Sequence, residues 1–197
     1  MEHLMFDKKL AKAQANNGNS ALLLVPRIEK MPYGILRHDE PFLPYGKAMI
    51  DAAQGLICAV VFDLAAYMAL GAVGMVALER TIDYVPRDIV TILHGAFGSA
   101  DFAIVMDENA YGIDAVTITG QTPITRFVER QDRMAFVIDT GTPAAESDRA
   151  GRFWINHDLM TLRDTRINVM NEDFVYKYRG ENFKAEFRAA LERIRHG

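Results

Sequence analysis

Five short apolar runs, separated by segments of helical period, limit what this chain can fold into more than any other feature. They occupy residues 21–25, 56–62, 89–93, 115–119 and 134–138, and none contains a charged residue. A strand with one wet face alternates apolar and polar side chains. A strand covered on both faces reads as a continuous apolar run. Between the runs lie segments suited to helices, at residues 45–54, 63–84, 100–108 and 122–130. Strands alternating with helices in this way build a parallel sheet wrapped by its own crossovers. The fold class is therefore α/β. Either an open doubly wound sheet or a closed (β/α)8 barrel fits, and spacing alone does not choose.

The ends of the chain read differently. Residues 6–17 form an amphipathic helix, with Phe6, Leu10 and Ala13 on one side and Lys8, Lys9 and Lys12 on the other; Asn16, Asn17 and Gly18 stop it. Pro32, Pro41 and Pro44 break residues 27–44 into loop. Beyond Gly141 a polar stretch, 142–151, is followed by short strand candidates at 152–156, 166–170 and 174–178. Residues 171–173 suit a hairpin turn, and the alternating aromatics at 176–179 suit an edge strand. A last amphipathic helix at 182–195 carries Phe183, Phe187, Leu191 and Ile194. This final quarter is too short for three more strand–helix units. The expectation is one domain over 1–197, regular to residue 141 and remodelled after it.

Composition removes several function classes. Half of the 197 residues are hydrophobic, enough for a sizeable core, and the net charge of −4 gives no drive toward nucleic acid or anionic lipid. Residues 55–78 hold one charge, Asp63, and are long enough to span a bilayer. Gly55, Gly71, Gly74 and a change of period inside the stretch favour a buried strand and helix, with Asp63 capping the helix. No basic start followed by an apolar run suggests a signal peptide. The single cysteine, Cys58, lies among apolar neighbours and suits a buried, inert thiol in a reducing, cytoplasmic setting.

Candidate chemistry concentrates where apolar runs meet loops, because sheets of this class place their sites at the carboxyl ends of strands. If the chain is an enzyme, His94, Ser99 and Asp101 are the catalytic candidates. The competing reading of His94 is a histidine that only hydrogen bonds locally. Thr119, Gln121, Asp139 and Thr140 sit in the next two strand-end loops and are the candidates for holding a ligand, with backbone N–H groups available to a phosphate. His157 and Asp158 are too far along the chain to make a metal-ligand spacing with these groups, so no metal and no cofactor is expected. Trp154 suits a core or an interface equally.

Four segments carry a resemblance. They are residues 6–18 with the strand and Pro26 that follow, residues 71–82, residues 114–117, and residues 135–143. Together, in this order, they resemble the orotidine 5′-phosphate decarboxylase family, in its longer bacterial branch, over roughly the first three quarters of the chain. The resemblance implies a (β/α)8 barrel, a homodimer, and a site at the carboxyl ends of the strands. It also implies where the family's charged groups belong. The acid ending the first strand falls on Val25, and the lysine ending the second falls on Val61. The Asp-x-Lys-x-x-Asp set falls on His94, Ala96 and Ser99. The resemblance thus implies a relative without the decarboxylase charges. Three expectations follow: a non-catalytic scaffold or interaction subunit, forming a homo-oligomer or binding another protein; a lyase, aldolase or isomerase of a phosphorylated small molecule that uses the same barrel site; or a sensor of a nucleotide or phosphate ligand.

Overall fold

Burial of both strand faces is achieved by closing the sheet on itself. The structure, a computed structural model, describes residues 5–139 and 150–196. Its strands are β1 (Ser20–Leu24), β2 (Ala59–Asp63), β3 (Val90–Phe97), β4 (Ala115–Ile118), β5 (Met134–Asp139), β6 (Gly151–Trp154), β7 (Leu159–Leu162) and β8 (Thr165–Met170), and they form one closed barrel in sequence order. Strands β1 to β6 run parallel, and β8 runs parallel to β1. Strand β7 is antiparallel to both its neighbours. The closed form of the expected α/β fold is thus present, and its end is remodelled: β6, β7 and β8 make a meander where βα units would otherwise stand. Arg163, at φ 51°, turns the chain from β7 into β8.

Several sequence expectations need correction. The strand expected at 174–178 is not one: Asn171 accepts a bond from the Phe174 N–H and caps a short helix, Glu172–Val175. Asn171 therefore begins a helix, with two acids in its first turn, where a hairpin turn was expected. The strand at 152–156 ends at Trp154, and β7 was not anticipated. The helix expected over 63–84 breaks at Gly71, whose φ of 67° an L side chain rarely adopts. The helix expected at 100–108 is a 3-10 turn, Ala100–Met106, and the one at 122–130 shrinks to Thr125–Val128 after Pro123.

In chain order the helices are α1 (Phe6–Asn17), α2 (Phe42–Ala53), α3 (Leu64–Ala69), α4 (Gly71–Tyr84), α5 (Thr125–Val128), α6 (Glu172–Val175) and α7 (Phe183–His196). Helix α2 begins before Pro44 because a first-turn residue needs no N–H partner. The Glu40 carboxylate accepts the Phe42 and Leu43 N–H groups there. Asp63 caps α3 as expected, accepting from the Ala66 N–H.

The sheet separates two cores. Outward strand residues such as Leu22, Phe62, Leu93 and Val116 meet the helices. Inward residues, including Val61, Ile92, Phe136, Phe153 and Ile167, fill the barrel. Helix α1 closes its lower end, where the parallel strands begin, with Phe6, Leu10 and Ala13. The Phe6 ring meets Phe136 edge-on at 6.2 Å. A Cβ on Gly151 would come within 2.4 Å of the Phe136 ring, so the glycine makes the room that this phenylalanine occupies. Cys58 is buried, and desolvation pushes its thiol up to about 12, as suits an inert group. Among the described residues no helix is long and apolar enough to cross a membrane.

Candidate functional site

The upper end of the barrel, where β1 to β6 finish, is the place to look for chemistry. Strand alternation decides which side chains reach it. On β3 the inward positions lead up to His94, which stands opposite Asp63 of β2. The strand does not end at Leu93, as the sequence suggested. It continues to Phe97 through a bulge, with a register shift against β4 and Ala96 held at φ 48°.

Thr117 of β4 pins this bulge. Its Oγ1 lies 3.2 Å from the Gly95 N–H, 3.1 Å from the Ala96 N–H and 2.9 Å from His94 Nδ1. Both backbone groups can only donate. The threonine proton is therefore the one left for Nδ1, and the ring proton belongs on Nε2. The imidazole also meets the Phe153 ring edge-on at 5.4 Å. Burial lowers the His94 pKa, and Asp63 only partly offsets that. His94 is thus a neutral imidazole at neutral pH, bound to its own sheet.

The other candidates sit in separate contacts. Ser99 Oγ donates to Asp101 Oδ2 at 3.2 Å and accepts from the Asp101 N–H, which caps the 3-10 turn after it. The two bond each other, not His94. The Thr119 and Thr122 hydroxyls lie 2.7 Å apart, and Thr122 donates to the Phe97 carbonyl. Gln121 is exposed in the adjoining loop. Asp139 follows Ile138, which faces into the barrel, so its carboxylate leaves on the outer side. There it pairs with Arg152 at 3.2 Å, and the Arg152 guanidinium sits 5.8 Å from the Trp154 ring centroid. Thr140 lies outside the described residues. Val61 is fully buried inside the barrel, and Val25 is buried at the end of β1.

Sequence reasoning missed three groups at this end. Thr117 looked like an ordinary strand threonine; its signal was its place, one strand across from His94. The Tyr176 hydroxyl donates to the Val25 carbonyl and accepts from the Arg27 N–H, fixing the end of β1. Glu172 Oε1 takes Arg27 Nε at 2.7 Å and Lys30 Nζ at 2.6 Å. Burial would raise this carboxyl, but Lys30 and Arg27 outweigh it and hold it below its usual value.

The buried charges lie at the opposite end. Asp114, just before β4, accepts at Oδ2 from Lys9 Nζ at 2.6 Å, from the Thr91 N–H at 2.8 Å and from the Thr91 hydroxyl at 2.9 Å. Arg133 Nη1 stands 4.0 Å from its other oxygen. Thr91 is near the start of β3 and Lys9 is in α1, so this network closes the lower end. Among the described residues no three His, Cys, Asp or Glu side chains are grouped to hold a metal ion.

No family model matches the chain. The orotidine 5′-phosphate decarboxylase of Thermomicrobium roseum is 32% identical over 152 residues, covering 72% of this chain and 54% of that protein. The orotidine 5′-phosphate decarboxylase of Herpetosiphon aurantiacus is 30% identical over 144 residues, covering 68% and 53%. The chain therefore spans about half the length of these curated relatives. Among solved structures, a provisionally assigned orotidine-monophosphate-decarboxylase from Toxoplasma gondii superposes with a TM-score of 0.60 at 21% identity, over 72% of this chain and 50% of that one. The Leishmania donovani OMP decarboxylase gives 0.53 at 17% identity, over 84% and 62%. These structures share the barrel.

Proposed function

Since this chain belongs to the orotidine 5′-phosphate decarboxylase family, we propose that it is a non-catalytic member that keeps the barrel and works by association, first with a second copy of itself. Decarboxylation leaves an electron pair on carbon that must be stabilised and then protonated. That calls for an ammonium held between carboxylates at the mouth. The observation that carries the reading is that no described strand carries a lysine: His94 is tied to Thr117, with Val61 and Ala96 at the two positions where the resemblance puts lysines. The lysine ion pair at this end has the opposite composition, one carboxylate (Glu172) between two cations. A lyase, aldolase or isomerase reading, or a phosphate sensor, has less support. Its candidates Ser99 and Asp101 are spent on each other, and Thr119 on Thr122.

Association is supported by α3 and α4. They expose Met68, Val73 and Val76 at 59%, 50% and 46%. Val73 and Val76 line an apolar groove of about 350 Å³ with Leu43, and Glu40 and Arg80 are its charged lining residues. Opposite charges on one patch let two copies pair Glu40 with Arg80 about a twofold axis. Sedimentation equilibrium tests this. The wild-type chain should be a discrete dimer, and Val73→Asp with Val76→Asp should give a monomer with an unchanged circular dichroism spectrum. A wild-type monomer at the highest soluble concentration contradicts the association reading.

A further inference from the structure

A cavity of about 670 Å³ opens at the lower end of the barrel, where the chain enters β3, β4 and β5 beside the last turn of α4. Ile82, Val85 and Ile89 give it apolar lining, and Tyr111 lines it from the loop before β4. Lys9, Asp114 and Arg133, which close the barrel floor, line it as well. Its loops are held by their own backbone. The Gly112 N–H donates to the Asp107 carbonyl and the Ile89 N–H to the Pro86 carbonyl, both at 2.9 Å.

The floor does not use up its charged groups. Asp114 gives Oδ2 to Lys9 and Thr91, whereas Oδ1 has only Arg133 Nη1 near it, at 4.0 Å, too far for a hydrogen bond. Arg133 is anchored by its other nitrogens: Nε donates to the Met106 carbonyl at 3.0 Å, and Nη1 lies 3.2 Å from the Asp132 carboxylate. Its Nη2 has no partner among the described residues. Asp114 and Arg133 are each 7% exposed, yet Oδ1 and Nη2 are not sealed in; each keeps surface that a water molecule can touch. Lys9 Nζ spends one of its three donors on Asp114. A buried acceptor and a buried donor of opposite charge, held side by side and lining one cavity, point to a ligand that both donates and accepts.

We propose that this cavity binds a free α-amino acid with a large apolar side chain, its ammonium donating to Asp114 Oδ1 and its carboxylate accepting from Arg133 Nη2 and Lys9 Nζ. Charge sets the zwitterion. Among the described lining residues cations and anions are equal in number. A simple anion would meet Asp114 and a simple cation Arg133, and an uncharged apolar ligand would bury both groups without a partner. An α-amino acid carries its two charges on one carbon, as close together as the two that face it. Size sets the side chain, since the volume lies inside the range of about 300–1,000 Å³ usual for small-molecule sites, and Ile82, Val85 and Ile89 offer it apolar surface. The site does not rest on the association reading, because none of its lining residues lines the α3–α4 groove.

The test uses the full chain and three probes of one shape: L-phenylalanine, 3-phenylpropionate, which lacks the ammonium, and 2-phenylethylamine, which lacks the carboxylate. Each is titrated while the backbone amide resonances are followed by NMR. The expected result is saturable shifts centred on Ile89, Thr91, Asp114 and Arg133, with phenylalanine binding about tenfold or more tightly than either analogue, the factor that one charged hydrogen bond supplies. Arg133→Met should bring phenylalanine down to the affinity of phenylethylamine. The three wild-type titrations decide the matter alone if that variant does not fold. The proposal is overturned by the absence of saturable shifts, by shifts centred elsewhere, or by an analogue that binds as tightly as phenylalanine. A crystal soaked in phenylalanine that shows only ordered water between Arg133 Nη2 and Asp114 Oδ1 overturns it too.

Discussion

At the lower end of the barrel, Asp114 takes bonds from Lys9 and Thr91, with Arg133 behind it. At the upper end, His94 takes one from a threonine hydroxyl and leans on a phenylalanine. The two ends are made by the same strands, yet among the described residues the buried Asp114 and Arg133 stand at the lower one, while the Asp139–Arg152 pair of the upper one lies outside the sheet. The contrast shows what each end is for. A buried carboxylate persists when its lone pairs are met by donors, and removing a partner from such a group is costly. The lower network does this while joining α1 to β3 and β4, so its charges hold the barrel floor shut. At the upper end Thr117 serves the bulge in β3, Ser99 the turn after it and Tyr176 the end of β1. A barrel site is expected to keep unspent donors and charges at that end, and here Thr117, Ser99, Asp101, Thr119, Thr122 and Tyr176 are spent on the fold.

Four substitutions bear on this contrast. The largest effect is expected from Val61→Lys, which puts an ammonium into the apolar barrel interior. Urea unfolding should show a loss of about 4 kcal/mol or more. A nearly neutral outcome would mean that the upper end still solvates or pairs a cation. Asp114→Ala comes next, at about 3 kcal/mol, because it strands Lys9 and both Thr91 donors. If its cost is no greater than that of a surface substitution, the lower network is not structural. Gly151→Ala should cost about 1–3 kcal/mol, since its Cβ meets Phe136 and the Thr161 carbonyl.

The smallest effect belongs to His94→Gln, and its signature is in pH. Burial favours the neutral imidazole, so the folded pKa lies below the unfolded value of about 6.5. Below that unfolded value the unfolded chain binds the proton more readily than the folded one, and stability rises with pH through this window. The contribution of His94 is complete above about pH 6.5 and is lost as pH falls from there through the folded pKa. Urea midpoints at a series of pH values should show this slope in the wild type and its absence in the glutamine variant, which should differ by less than about 1 kcal/mol near pH 7.5. An unchanged slope would mean that His94 is as free to ionise as it is in the unfolded chain.

The legible parts of the sequence were those where one physical cue dominates. Continuous apolar runs gave all five regular strands, because only a doubly covered strand leaves out charge over such a length. The meander after residue 150 was harder. Phe174, Tyr176 and Tyr178 alternate as a strand would, but Asn171 caps a helix, and capping overrides alternation over four residues. Strand β7 has too few residues to show a period. Gly71 was read as a sign of burial, yet its positive φ splits a helix in two. At the site, His94 was legible from its place at a strand end. Its partner was not, because Thr117 is 23 residues away and the pairing exists only once β3 and β4 are in register. Lys9 and Asp114 are 105 residues apart and meet only when α1 crosses the barrel floor.

The most direct test of the non-catalytic reading is an assay of purified chain with orotidine 5′-phosphate, following its conversion to uridine 5′-phosphate. The account predicts that conversion stays at the rate of a protein-free control at every substrate concentration. Saturable conversion that scales with the amount of protein, and that disappears in His94→Ala or Asp101→Ala, would contradict it.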